Sequence, residues 1–180
     1  IYQNSYPDSE SYVTFDKMQA TVGTGETLKL TLFEQKFDET YTPYMTPYTL
    51  GEVYLTKDGT TTDIAANDSG KFELSFENVG TYVVSAKKQK QVNEQNVTAI
   101  TAPVCVVTVI APITVRVSAQ KGTEYTYLPE NVTVPYGIAK KYGFENGSDL
   151  ANGTITALDA LVAAHAQCYG EKFSSETAKN

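Results

Sequence analysis

Few side chains in this sequence have chemistry to offer, and they are scattered. His165, the only histidine, stands three residues before Cys168, about one helical turn, so a Cys-His nucleophile pair is conceivable on spacing. No third residue is placed to orient the imidazole. His165 also falls on the apolar stripe of a helical pattern, where a packed helix residue is the simpler reading. One histidine and two distant cysteines cannot supply a zinc site. Asp58, Asp63, Asn67 and Asp68 cluster in adjacent turn signals, and calcium takes six to eight hard oxygens, so Asp58, Asp63 and Asp68 are candidate calcium ligands. Their spacing is not that of an EF-hand loop, and turn formation alone accounts for Asx residues there. The other candidate ligand-binding group is Tyr41, Tyr44, Met45 and Tyr48, because amphipathic rings suit both sugar stacking and protein contacts. The alternative is that these rings cap the open end of a β-sandwich. No motif for a catalytic centre or a cofactor stands out, and no cofactor is expected.

The bulk properties narrow the classes. The chain has 180 residues, a net charge of −7 and a single arginine, Arg116. That balance argues against a nucleic-acid surface, which needs clustered Lys and Arg; Lys87-Lys88-Gln89-Lys90 reads as the solvated end of a strand. No apolar run approaches the roughly 20 residues that span a bilayer, so membrane insertion is not expected. The first residue is Ile1 rather than Met, which suggests a processed or excised piece. Cys105 shares a strand face with Val107 and Val109 and reads as a small core hydrophobe.

The elements that must carry these residues are mostly strands. Abundant Tyr, Thr and Val favour sheet. Residues 1–11 read as a leader or linker. Strand signals follow at Tyr12 to Phe15 or Met18 to Val22, at Thr27 to Phe33, where Leu28, Leu30 and Leu32 alternate inward, and at Val53 to Leu55. Further signals lie at Asp63 to Ala65, Lys71 to Phe76, Thr81 to Ala86, Val97 to Ile100 and Pro103 to Ile110. Asp38 to Leu50 reads as a long Pro- and Tyr-rich loop. Ala111-Pro112 separates two β-branched runs, and proline cannot donate to a ladder, so residues 12–111 and 113–180 are read as two domains hinged at Pro112. In the second, strands are expected at Ile113 to Ala119 and at Tyr125 to Val134 with an interruption at Pro129; Lys140 to Gly153 is loop-like. One helix follows. Thr156 is its N-cap and Asp159 its capping-box partner; Leu158, Leu161, Val162, His165 and Tyr169 form the stripe, and Gly170 ends it.

The Phe-rich strand, the run Gly80-Thr81-Tyr82-Val83-Val84-Ser85-Ala86 and a terminal strand ending VTVIAP together resemble the Ig-like modules of bacterial cell-surface proteins. The strand pair, Gly-rich loop and GTITALDALVAAH are similar to β-grasp domains of unknown function related to the C-terminal domain of transcobalamin. The fold expected is therefore mainly β: an Ig-like β-sandwich followed by a small α+β, β-grasp-like domain with one helix. The resemblance implies an extracellular, cell-surface, non-enzymatic module of a bacterial protein, acting as a spacer or adhesin, with a glycan or small-ligand binding module as the alternative. Its partner would be a protein or glycan on a host or neighbouring cell. The transcobalamin likeness hints at cobalamin, but no contact residue maps onto this chain. An internal Lys-Asn isopeptide bond, known in similar modules, is disfavoured because Val104 to Ile110 holds no Asn or Asp. Such a β-grasp domain needs further strands after its helix, so the second domain reads as incomplete, with an open edge inviting self-association. Sequons at Asn67, Asn96, Asn131, Asn146 and Asn152 would matter in a eukaryotic secretory pathway, which the bacterial resemblance discounts.

Overall fold

The computed structural model describes residues 12–49, 52–64, 69–87, 89–92, 95–98, 104–144, 153–173 and 176. The chain is mainly β and divides into two compact units. One comprises residues 1–20, 27–75 and 80–108, and the other residues 21–26, 76–79 and 109–180.

The first unit follows from alternation. Strand β3 (Thr27–Phe37) buries Leu28, Leu30 and Leu32 on one face, because side chains two residues apart share a face of a pleated strand. Three strands pair with it antiparallel: β1 (Val13–Phe15), β4 (Pro43–Pro47) and β7 (Lys71–Ser75). A second sheet has the order β2 (Gln19–Gly23), β11 (Val104–Ile110), β8 (Gly80–Lys87), β5 (Glu52–Lys57), β6 (Thr60–Ile64). Its alternate residues Cys105, Val107, Tyr82, Val84, Ala86 and Val53 are buried, as are Phe72 and Leu74 of β7, and these faces form the core of a β-sandwich. Cys105 is the small core hydrophobe expected, and burial pushes its thiol pKa up.

The segment from Asp38 to Leu50 is not one long loop, for it contains β4. Leu32 explains how β4 and β7 share one edge of β3. Its N–H donates to the Gly70 carbonyl at 2.8 Å and its carbonyl accepts from Tyr48 N–H at 2.8 Å, so the two short strands lie end to end along that edge. They abut closely: Gly70 has φ 69°, and a Cβ there would sit 2.9 Å from the Tyr48 carbonyl oxygen, a position only glycine fills. Backbone groups alternate in direction along an antiparallel strand. Tyr44, Thr46 and Tyr48 therefore face β3, while Pro43, Met45 and Pro47 turn their nitrogens to the free edge. Two of those three lack an N–H, which is how a proline-rich stretch can be an edge strand.

Other departures have similar causes. The polar run before Asn96 pairs as two strands, β9 (Gln89–Val92) with β10 (Gln95–Thr98); its polar composition carries no apolar period from which strands could be read. Asp58 and Gly59 both have positive φ, 49° and 78°, the type I′ turn that joins β5 to β6 in two residues. The leader, Asn67 and Asp68, and the sequons at Asn146 and Asn152 lie outside the described residues.

In the second unit β12 (Ile113–Lys121) pairs antiparallel with β13 (Glu124–Val134). Pro129 does not interrupt β13. The register shifts between Val117 and Ala119 opposite it, so proline sits at a bulge, where a missing donor costs no ladder bond. The stretch read as loop from Lys140 begins inside a one-turn helix, α1 (Ile138–Lys141). The main helix, α2 (Ala157–Tyr169), has the expected Thr156–Asp159 capping box, and Gly170 caps its end at φ 56°. Its buried face matches the expected stripe only in part, at Val162 and at Leu158, which packs beside it. Asp159, Val162, Ala163 and Ala164 are buried, whereas Leu161, His165 and Tyr169 are exposed. Ala163 and Ala164 pack with Val132 and Val134 of β13, and small alanines let the helix lie close to that strand.

Candidate functional site

The structure separates the two groups of candidate residues and divides each of them. In the tyrosine group the pleat sends neighbours to opposite faces. Tyr48 is only 1% exposed and belongs to the core, so its ring is not on the surface. Tyr44 shares the β3 register with Lys36, and Met45 with Gln35, so the first lies on the face of Glu34 and Lys36 and the second on the outer face. There Lys36 Nζ contacts Glu34 Oε1 at 2.8 Å, and Thr46 Oγ1 donates to the same oxygen at 3.5 Å. Glu34 is thus a buried carboxylate with partners, as burial of a charge requires. On the outer face Phe37 and Met45 are both exposed.

Tyr41 occupies the tip between β3 and β4. It has φ 60°, a left-handed conformation uncommon for a residue with a side chain, and its ring is 69% exposed. The neighbouring Asp38 supports that conformation. Its Oδ1 accepts from Thr40 N–H at 2.8 Å, Thr40 Oγ1 at 2.7 Å and Thr42 N–H at 2.9 Å. Tyr41 N–H donates to the Asp38 carbonyl at 3.0 Å, and Asp38 N–H to the Thr42 carbonyl at 3.1 Å. One carboxylate therefore closes the whole turn. Asp38 was no part of the group read from sequence; the Asp-x-Thr-x-Thr spacing, suited to an Asx-turn, is the signal that could have found it.

These bonds hold the Asp38 carboxyl below its usual pKa, the Thr40 hydroxyl contributing most, then the Thr42 N–H. A carboxyl depressed in the folded state favours that state above its unfolded pKa of about 3.9, and the contribution disappears as pH falls through the folded value. The amide resonances of Thr40 and Thr42 are therefore expected to lose their hydrogen-bonded shifts below about pH 4, with no change from there to neutrality. Asp38→Ala should show the loosened pattern at every pH; an unchanged tip in that variant would remove Asp38 as its clamp.

The calcium candidates are not brought together. Asp58 is the first residue of the β5–β6 turn, while Asp63 pairs with Tyr54 three residue pairs back from it, roughly 10 Å of strand. Asp68 lies outside the described residues. Asp58 also stands beside Lys57, whose ammonium lies 4.9 Å from the centre of the Tyr82 ring. Among the described residues no group of three or more His, Cys, Asp or Glu side chains is placed to hold a metal ion.

On α2, His165 lies edge-on to Tyr169 and Phe173, with ring centres 6.2 and 6.0 Å away. Cys168 is exposed and unbridged. Nearby, Glu130 Oε2 accepts from Gln167 Nε2 at 3.3 Å and from the Tyr127 hydroxyl at 3.5 Å, tying the helix to β13.

The second unit carries a concave feature. A groove of about 640 Å³ runs between β12 and α2, lined by Ile113, Val115, Val117, Ile155, Ala160 and Leu161 among others. No helix among the described residues is long and apolar enough to cross a membrane. No protein-family model matches the sequence, and no curated protein is similar to it at a significant level.

Proposed function

We propose that this chain is a non-enzymatic, extracellular module of a larger bacterial surface protein, serving as a spacer that also adheres through the β3–β4 tip. The observation that carries the reading is Tyr41: an exposed ring held in a left-handed conformation by a carboxylate with three hydrogen bonds. Non-glycine residues in that conformation carry a strain of order 1–3 kcal/mol and persist where the surroundings impose them, often at binding sites. Tyrosine is moreover a residue of binding hot spots, giving large contact area at small entropic cost. Small ligands are bound in concave sites, whereas a hairpin tip is suited to entering a recess on another macromolecule, so a protein partner is the better fit. The likeness of residues 12–111 to Ig-like modules supports the surface location.

The test is retention of protein-coated beads on epithelial monolayers under flow. Retention is expected, with a loss of about tenfold on Tyr41→Ser, the size of effect an interface anchor gives. Prior proteolysis of the monolayer should abolish it; loss on glycosidase treatment instead would favour a glycan as partner. Equal retention of the wild type and Tyr41→Ser would remove the tip from adhesion.

A further inference from the structure

We infer that the free edge of β12 is a strand-addition site for an extended segment of a partner protein, one whose residues alternate apolar and polar and which carries an acidic residue beside Arg116. This surface is separate from the hairpin tip, and nothing in it depends on Tyr41.

Among the described residues the edge is open and carries no proline. Among the described residues β12 pairs only with β13, leaving one row of its backbone donors and acceptors unpaired. Proteins protect such edges with prolines, charges or short strands. On β4 the free side carries Pro43 and Pro47, and β1 spans only three residues. By contrast, β12 runs nine residues without a proline. An unpaired backbone edge calls for another backbone, which a lipid or a sugar does not provide.

The groove takes the side chains of such a strand. Val132 and Val134 of β13 are wholly buried against Ala163 and Ala164, while Val115 and Val117 of β12 are only partly covered. Helix α2 thus lies over β13 and leaves the β12 side open, with Ile113 43% and Leu161 48% exposed at its rim. A strand added to β12 would send every second side chain beneath Leu161, the arrangement by which added strands gain specificity. Six residues of it would extend about 20 Å.

Charge selects the occupant. Arg116 alternates with Val115 and Val117 along β12 and also lines the groove at this edge; it is exposed, has Asn131 as its cross-strand neighbour, and belongs to none of the ion pairs among the described residues. An acidic residue on the added strand would pair with it directly. A second copy does not supply one. If two β12 strands paired about a two-fold axis with Ile113 opposite Val117, Arg116 would face Thr114. One step along, it would face Arg116 of the other copy, and each copy carries a net charge of −7.

The experiment uses the whole chain and a fluorescein-labelled, end-capped peptide, Ser-Val-Thr-Val-Glu-Val-Thr, read by anisotropy. Saturable binding is expected, weakened about tenfold or more by Leu161→Lys, whose half-exposed site allows the fold to be retained, as circular dichroism would check. Arg116→Glu should weaken this peptide and strengthen one with Lys in place of Glu. A peptide N-methylated at alternate amides, unable to complete the ladder, should not bind. No saturation by about 1 mM, or affinity unchanged in folded Leu161→Lys, would overturn the proposal. So would a dimer in sedimentation that Leu161→Lys dissociates, which would give the edge to a second copy.

Discussion

Leu32→Ala is expected to lower the unfolding free energy by about 2–5 kcal/mol, the range for a fully buried leucine cut back to the β-carbon. Leu32 is 0% exposed and lies where three strands meet. It pairs with Phe15 of β1, and its backbone bonds Gly70 and Tyr48 on the other side. Those backbone bonds survive the substitution, so the loss is of packing and of the cavity that remains. The midpoint in urea should fall with its slope unchanged, since the surface exposed on unfolding is nearly the same. Leu32→Met, which keeps the volume, should cost less than about 1.5 kcal/mol. Leu74→Ala tests the same face from β7, at a site 8% exposed, and belongs to the same range. A cost below about 0.5 kcal/mol at Leu32, as at ordinary surface sites, would mean that the even-numbered face of β3 is not core.

That face was readable because Leu28, Leu30 and Leu32 alternate with Lys29, Thr31 and Phe33, and one-sided burial leaves such a period in the sequence. The same logic found β7 and β8 and, by its turn chemistry, the Asp58–Gly59 hairpin. It failed where the period is not set by a core. Strand β4 is proline-flanked because its prolines face the open edge, so composition suggested loop. Hairpin β9–β10 is polar, and the stripe of helix α2 was only partly found because, beside Val162, its buried contacts are made by Ala163 and Ala164, which scarcely register beside Leu161 and Tyr169. For the tyrosine group, residue type drew attention to the β3–β4 hairpin, but the pleat that buries Tyr48 and sends Tyr44 and Met45 to opposite faces depends on a register that only the strand pairing with β3 reveals. The clamp at Asp38 was overlooked because an aspartate near threonines suggests only a turn until the left-handed tyrosine beside it is known. The groove beside β12 could not be read at all, since it arises from where α2 lies over β13.

Asp159→Ala carries the other large expectation, about 3 kcal/mol, because that carboxylate serves two helices. Asp159 is 0% exposed. Its Oδ2 accepts from Thr156 N–H at 2.8 Å and Thr156 Oγ1 at 2.6 Å, completing the capping box of α2. Its Oδ1 accepts from Ala139 N–H at 3.2 Å. Helix α1 has Gly137 at its N-cap and no side-chain cap of its own, so Asp159 supplies from α2 the acceptor that α1 lacks. Removing it strands Ala139 N–H in a buried position and Thr156 N–H in a partly buried one, each costing roughly 1–3 kcal/mol when left unmade. Thr156→Ala removes the cap's hydroxyl but leaves the bond to α1, and should cost about 0.5–2 kcal/mol. The two substitutions share one network, so together they should cost less than their sum, by about 0.5 kcal/mol or more. Protection of the Ala139 amide against hydrogen exchange separates the roles: it should fall in Asp159→Ala and persist in Thr156→Ala. Equal costs for the two variants, with Ala139 protected in both, would reduce Asp159 to an ordinary cap and leave α1 held by its packing alone.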